Sequence, residues 1–304
     1  MDFSSLSPIA LIVAVMGAAT PLLFAAIGEL VVEKSGVLNL GVEGMMIVGA
    51  ISGFAISVST GSPVIGIIAG GLGGMIVSLI FGVLTQYFLS NQVATGLGLT
   101  LFGLGVAALI GQPFAGIKPP SFPALEFTNI AARPVVIDPM IILSFVLAIG
   151  VAIFLTRTRP GLILRAVGEN HNAAHSLGYN VTLIRMAAIG FGGFCAGIGG
   201  AYLSLIRVPQ WTEGMTAGAG WIALAIVVFA SWKPSRAVLG AYLFGGVTII
   251  QLNLQGLGIA IQSQYLSMTP YIVTIVVLVF MSADKYRTSL NAPASLGQTF
   301  HKSG

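Results

Sequence analysis

Charge is what this 304-residue chain has least of. Asp, Glu, Lys and Arg together make up 7% of it, against about 25% in a soluble domain. With 56% hydrophobic residues and a mean hydropathy of +0.98, a water-soluble globule is excluded. The net charge of +4 comes mostly from basic residues at the ends of apolar runs, so it implies no nucleic-acid partner. Cysteine is nearly absent. Cys195 stands alone inside an apolar run, which rules out a disulfide within the chain and reads as a buried, inert thiol. None of the five lysines follows a glycine, so the P-loop pattern G-x-x-x-x-G-K-[ST] does not occur. Energy for any active process must therefore come from a separate ATPase chain, or from none. Residues 8–32 are apolar, but only Asp2 stands where a signal peptide carries basic residues, and a cleaved leader is not expected.

What is present is a series of apolar runs, each close to the 20 or so residues that cross a bilayer as a helix. They show none of the alternation of barrel strands. Polar breaks divide them into about nine spans (eight to ten): 8–28, 40–58, 63–88, 93–111, 138–156, 185–206, 218–232, 237–256 and 268–284. The short, glycine-dotted run 93–111 is the one that reads as partly re-entrant. Glycine is frequent, 40 of 304 residues, and small residues let membrane helices approach closely. The expected fold is all-α: one polytopic transmembrane bundle over residues 1–304. Gly66, Gly70 and Gly74, and Gly193 with Gly197, form stripes that suit packing within the bundle or against a partner.

Lysine and arginine set the orientation, since cytoplasmic loops carry the excess. With the polar island 158–184 inside and the spans alternating, ten basic residues lie inside. These are Lys34, Arg157, Arg159, Arg165, Arg185, Lys233, Arg236, Lys285, Arg287 and Lys302. Lys118, Arg133 and Arg207 lie outside. The N-terminus is then external and the C-terminus cytoplasmic. The longest external segment, 112–137, holds five prolines, which prevent a continuous helix and give a stiff loop, either a connector or a docking surface.

The island 158–184 contains a short helix signal. Asn170 suits an N-cap and Gly178 a C′ position. Between them Ala173, Ala174 and Leu177 are expected to form one apolar face, small enough to seat in a groove, with His171 and His175 solvated beside it. The two histidines have zincin spacing, but Asn172 stands where the catalytic Glu would be and no third ligand is nearby. No other cluster of nucleophile, base or metal ligands stands out, so neither an enzyme nor a cofactor is expected.

Asn172-Ala173-Ala174, three residues, then Gly178 resembles the E-A-A-x-x-x-G core of the coupling loop in permease subunits of bacterial ABC importers, with Asn172 in place of Glu. Its context, G-L-I-L-R-A-V-G-E-N-x-x-A-A-x-x-L-G, is similar to the branched-chain amino-acid, ribose and nucleoside permeases. Three further blocks resemble the nucleoside and simple-sugar branch: residues 28–46, 92–103 and 213–225. The resemblance implies a cytoplasmic coupling loop at 158–184 in which Glu169, Asn172, Ala173, Ala174, Leu177 and Gly178 meet an ABC ATPase subunit. It also implies a second, longer permease as partner, a solute-binding protein at the outer face, and residence in the bacterial inner membrane.

Polar groups in the spans are candidates for the translocation path, because burying them costs a few kcal/mol and requires a reason. Asn39, Glu43, Asn91, Gln92, Thr95, Thr100 and Asn253 offer the amides and hydroxyls that a nucleoside's ring nitrogens and ribose could meet. A structural reading competes: Glu29, Glu33 and Glu43 pair with Lys34 or accept backbone donors in a broken helix. The expected function is thus a nucleoside permease of an ABC importer. The alternatives are a branched-chain amino-acid or simple-sugar permease, or an ATP-independent transporter.

Overall fold

The computed structural model describes residues 8–123, 125–130 and 133–256, scattered positions between 268 and 279, and residues 291–301; for 125–130 and 133–137 only the backbone is described. Ten helices are described: α1 (Pro8–Lys34), α2 (Val42–Thr60), α3 (Pro63–Gln86), α4 (Gln92–Gly111), α5 (Pro139–Arg157), α6 (Arg159–Glu169), α7 (His171–Ser176), α8 (Val181–Tyr202), α9 (Ala219–Phe229) and α10 (Pro234–Gly256). Their starts follow from local chemistry. Ser62, Asn91, Asp138, Thr158, Asn170 and Asn180 each stand at an N-cap and accept a backbone N–H from the first turn, which satisfies donors the helix itself cannot.

Among the described residues, seven helices are long and apolar enough to cross a membrane, not nine. The expected span 268–284 lies largely outside the described residues. The expected span 218–232 is not a full span. α9 has 11 residues, about 16 Å at 1.5 Å per residue, half of a 30 Å hydrocarbon core. Its N-terminal side is blocked by Gly214, Ala217 and Gly218, all with positive φ, and its C-terminal side by Ser231 and Trp232, also with positive φ. The residues before it form an irregular segment that only protein can cover. The run 93–111, by contrast, is a complete helix, α4.

Two further boundaries differ from expectation. α1 continues through Glu29 and Glu33 to Lys34, because both carboxylates are buried against partners and not at a solvated helix end. α8 begins at Val181, within the expected loop 158–184, and carries Arg185, expected at the cytoplasmic end of the span 185–206, fully buried within it. The segment 112–137 is not a strandless loop. It holds an antiparallel hairpin, β1 (Leu125–Ile130) and β2 (Arg133–Ile137), that pairs Leu125 with Ile137 and Phe127 with Val135.

α8 is the axis of the bundle, with α1, α2 and α3 packed around it. Side-chain size explains why. A Cβ at Gly70 would collide with Ala201 and with the carbonyl of Gly49, and one at Gly197 would meet the backbone of Gly70 and Gly74. The two glycine stripes thus pack on each other inside this one chain. Ile65, Ile68, Leu72 and Ile76 on the opposite side of α3 are exposed, as on a lipid-facing surface.

Candidate functional site

Two polar assemblies interrupt the apolar bundle. The inner one is organised by Glu43 in the first turn of α2, which is 4% exposed. Its Oε1 accepts from the Gly218 N–H at 2.9 Å and from the Thr216 hydroxyl, and its Oε2 accepts from the Gly220 N–H at 2.6 Å. The carboxylate therefore caps α9, satisfying N–H groups that would each cost several kcal/mol if left bare in hydrocarbon. It also places negative charge at the positive end of the helix dipole. Gly220 must be glycine here, since a Cβ would lie 2.5 Å from the backbone of Glu43.

One turn away, the segment 38–41 is held by side chains named from the sequence. Gln92 Oε1 accepts from the Leu38 N–H (2.8 Å), Asn39 Oδ1 from the Gly41 N–H (3.0 Å), and the Thr100 hydroxyl donates to the Leu40 carbonyl (3.2 Å). Asn39 Nδ2 donates to Glu29 Oε2 at 3.3 Å, and the Trp232 indole donates to Glu33. Lys34 does not pair with these carboxylates; its Nζ reaches the Asn291 carbonyl at 2.8 Å. Glu29 Oε1 and Gln92 Nε2 are buried without a protein partner, one acceptor and one donor left over beside the broken helix.

The structure thus brings Asn39, Glu43, Gln92 and Thr100 together. Asn91, Thr95 and Asn253 do not join them. Asn91 is an exposed cap that accepts from the Ala94 N–H, Thr95 shares a hydrogen bond with Ser90, and Asn253 donates to the Ile249 carbonyl of its own helix. Thr216, Gly218, Gly220 and Trp232 are the members that sequence reasoning missed. The glycine-dense stretch before Trp221 was the local signal for the first three.

The outer assembly is α7, which Asn170 caps and beyond whose end Gly178 turns the chain at φ +89°. Its Ala173 N–H is capped by Asn170 Oδ1 at 2.9 Å, and Tyr179 N–H closes on the Ala174 carbonyl at 3.2 Å. The expected single apolar face does not exist. Ala174 turns inward against Val167, Val181 and Phe300, whereas Leu177, just past the helix end, is 76% exposed. Asn172, Ala173 and Gly178 are also exposed, and Glu169 accepts from the Ala294 N–H at 3.4 Å. Nor are both histidines solvated. His171 is buried, stacked edge-on to Phe300 with ring centroids 5.4 Å apart and with Nδ1 3.4 Å from Arg185 Nη2. Burial foremost, and then the Arg185 charge, hold its imidazole below the ordinary range.

A many-pass helical protein with a helix broken beside a buried carboxylate, and a short capped helix displayed at one end, has the layout of a transporter permease. A family model described as "Branched-chain amino acid transport system / permease component" matches residues 11–281, and the chain belongs to that family. It is similar to a Haloferax volcanii chain named for a glucose ABC transporter permease (TsgC13), 38% identical over 95% of this chain and 96% of that one. It is also similar to the nucleoside ABC transporter permease NupC of Lactococcus lactis, 32% identical over 85% and 88%, and to the guanosine ABC transporter permease NupQ of Bacillus subtilis, 30% identical over 86% and 88%. No solved structure matches. The protein is a multi-pass ABC permease of the nucleoside and sugar branch.

Proposed function

We propose that this chain forms one half of the membrane pathway of an ABC importer for nucleosides, paired with a longer permease. An ATPase would drive it and a solute-binding protein would supply it. The saturation of Glu43 carries the substrate reading. Both of its oxygens are engaged by three donors, so Glu43 itself is not free to meet an amino acid's ammonium group. An amide N–H of Gln92 and an oxygen of Glu29 lack a protein partner; both are buried in this state, and opening of the segment 38–41 would present them to a neutral solute with ring nitrogens and hydroxyls. The names of the two relatives from Lactococcus and Bacillus support the same reading. A simple sugar is the second reading, favoured by the 38% identity to a chain named for glucose.

The basic residues gathered around the stems of α7, with Lys34 electrostatically close to Arg165 and Lys233, support a cytoplasmic α7 and an external N-terminus. Leu177, Ala173 and Asn172 then present the surface to which the ATPase docks. Competition assays on the reconstituted transporter test the substrate class. Unlabelled nucleosides should suppress uptake of labelled guanosine, and leucine should not. Suppression by leucine alone would overturn the proposal, and suppression by glucose alone would select the sugar reading.

A further inference from the structure

The buried Arg185 has an unusual set of partners. Its guanidinium donates to the Ser35 carbonyl (3.2 Å), Gln86 Oε1 (3.5 Å) and the Gln298 carbonyl (3.1 Å), and it lies 3.4 Å from His171. Each partner is neutral, and each belongs to a different element: the α1–α2 turn, the end of α3, the C-terminal segment, and α7. A fully buried cation whose partners among the described residues include no carboxylate is costly, so this arrangement has to be held by everything around it.

The C-terminal segment 291–301 does much of that holding. Ser295 N–H donates to the Gly168 carbonyl at 3.0 Å, and its hydroxyl reaches the carbonyls of Val167 and Gly168. Gly297 N–H donates to the Gly36 carbonyl at 3.1 Å. Phe300 is 7% exposed and packs on Val167, Ala174 and Val181, with both α7 histidine rings edge-on to it. Phe300 and His301 also wall a cleft of about 680 Å³ that runs past His175 and Tyr179. The segment therefore straps the inner face of α7 to the base of α1 and α8, leaving the outer face free.

We infer that Phe300 and Arg185 are positioning residues of the transport cycle, and that the C-terminal strap passes displacement of α7 to the α1–α2 turn next to the broken helix. The inference rests on the docking of an ATPase to α7 proposed above. Without the strap, α7 is a six-residue helix joined to α6 and α8 by short turns, and such short helices are marginal alone. A push on its outer face would then be absorbed locally. With the strap, the push reaches Gly36 and Ser35, and through that turn the segment 38–41 held by Gln92, Asn39 and Thr100.

The test uses the complete transporter in proteoliposomes with its ATPase, partner permease and binding protein, and measures solute moved per ATP hydrolysed. Phe300→Ala should lower that ratio about five- to tenfold, with the ATPase still co-purifying at wild-type stoichiometry and with ATP hydrolysis retained. Phe300→Tyr, which keeps the ring, should restore it. Should Phe300→Ala fail to accumulate, Ser295→Ala and truncation after Thr299 carry the same expectation. A ratio within twofold of wild type, or loss of the ATPase from the complex, overturns the strap. Leu177→Asp separates the premise, because uptake that survives it removes the docking reading regardless of what Phe300 does.

Discussion

At the scale of single residues, the account turns on one carboxylate and one imidazole. Glu43 has three donors converging on it, and bonds to a charged acceptor are worth about 1.5–3 kcal/mol each. Glu43→Gln keeps the shape but turns an NH2 group toward a donor. It should lower the melting temperature of the detergent-purified complex and reduce uptake, and Glu43→Ala should do both more severely. Wild-type melting of Glu43→Ala would show that α9 needs no cap from α2. His171 yields a prediction of definite sign. Its folded pKa is lowered by burial and by Arg185, so strap attachment is complete above the free imidazole's value of about 6.5 and is lost as pH falls through the depressed one. Protease release of the C-terminal segment should therefore accelerate on acidification below about pH 6, and His171→Gln should flatten that dependence. An unchanged pH profile in the variant would contradict the assignment.

At the scale of elements, packing is governed by how closely backbones approach α8. A side chain at Gly197 meets peptide backbone of α3 and not a flexible tip, and overpacking of that kind costs about 1–3 kcal/mol. Gly197→Val should sharply reduce folded protein in the membrane. Gly98→Ala, where a Cβ meets nothing within 4 Å, should leave it unchanged, and equal yields would refute the close-packed axis. Elements whose signal is local were legible in the sequence: the spans of apolar length, the glycine stripes, and the Asn170 and Gly178 ends of α7. Elements decided by tertiary burial were not. Glu29 and Glu33 looked like a helix end because their covers, Asn39 and Trp232, lie 10 and 199 positions away. Residues 218–232 looked like a span because hydropathy cannot distinguish a crossing helix from a half-helix capped by a distant carboxylate. Ala174 and Leu177 looked like one face because Leu177 falls after the helix has ended.

At the scale of the whole molecule, the two polar assemblies stand at opposite ends of one mechanical connection. A broken helix capped by Glu43 lies at one end, and α7 presents Leu177 to the surroundings at the other. Arg185 and the 291–301 strap join the stems between them. The membership in an ABC permease family is shared with relatives named for nucleosides and for glucose, and the amides and hydroxyls of the inner assembly suit either. The claim most exposed to contradiction is that the outer face of α7 meets an ATPase in the cytoplasm. Leu177→Cys in the otherwise thiol-poor chain, in inside-out vesicles that retain the complete transporter, tests it most directly. The account predicts rapid crosslinking of that thiol to the ATPase subunit and inhibition of uptake once the link has formed. Labelling of the same position only from the periplasmic side would contradict it.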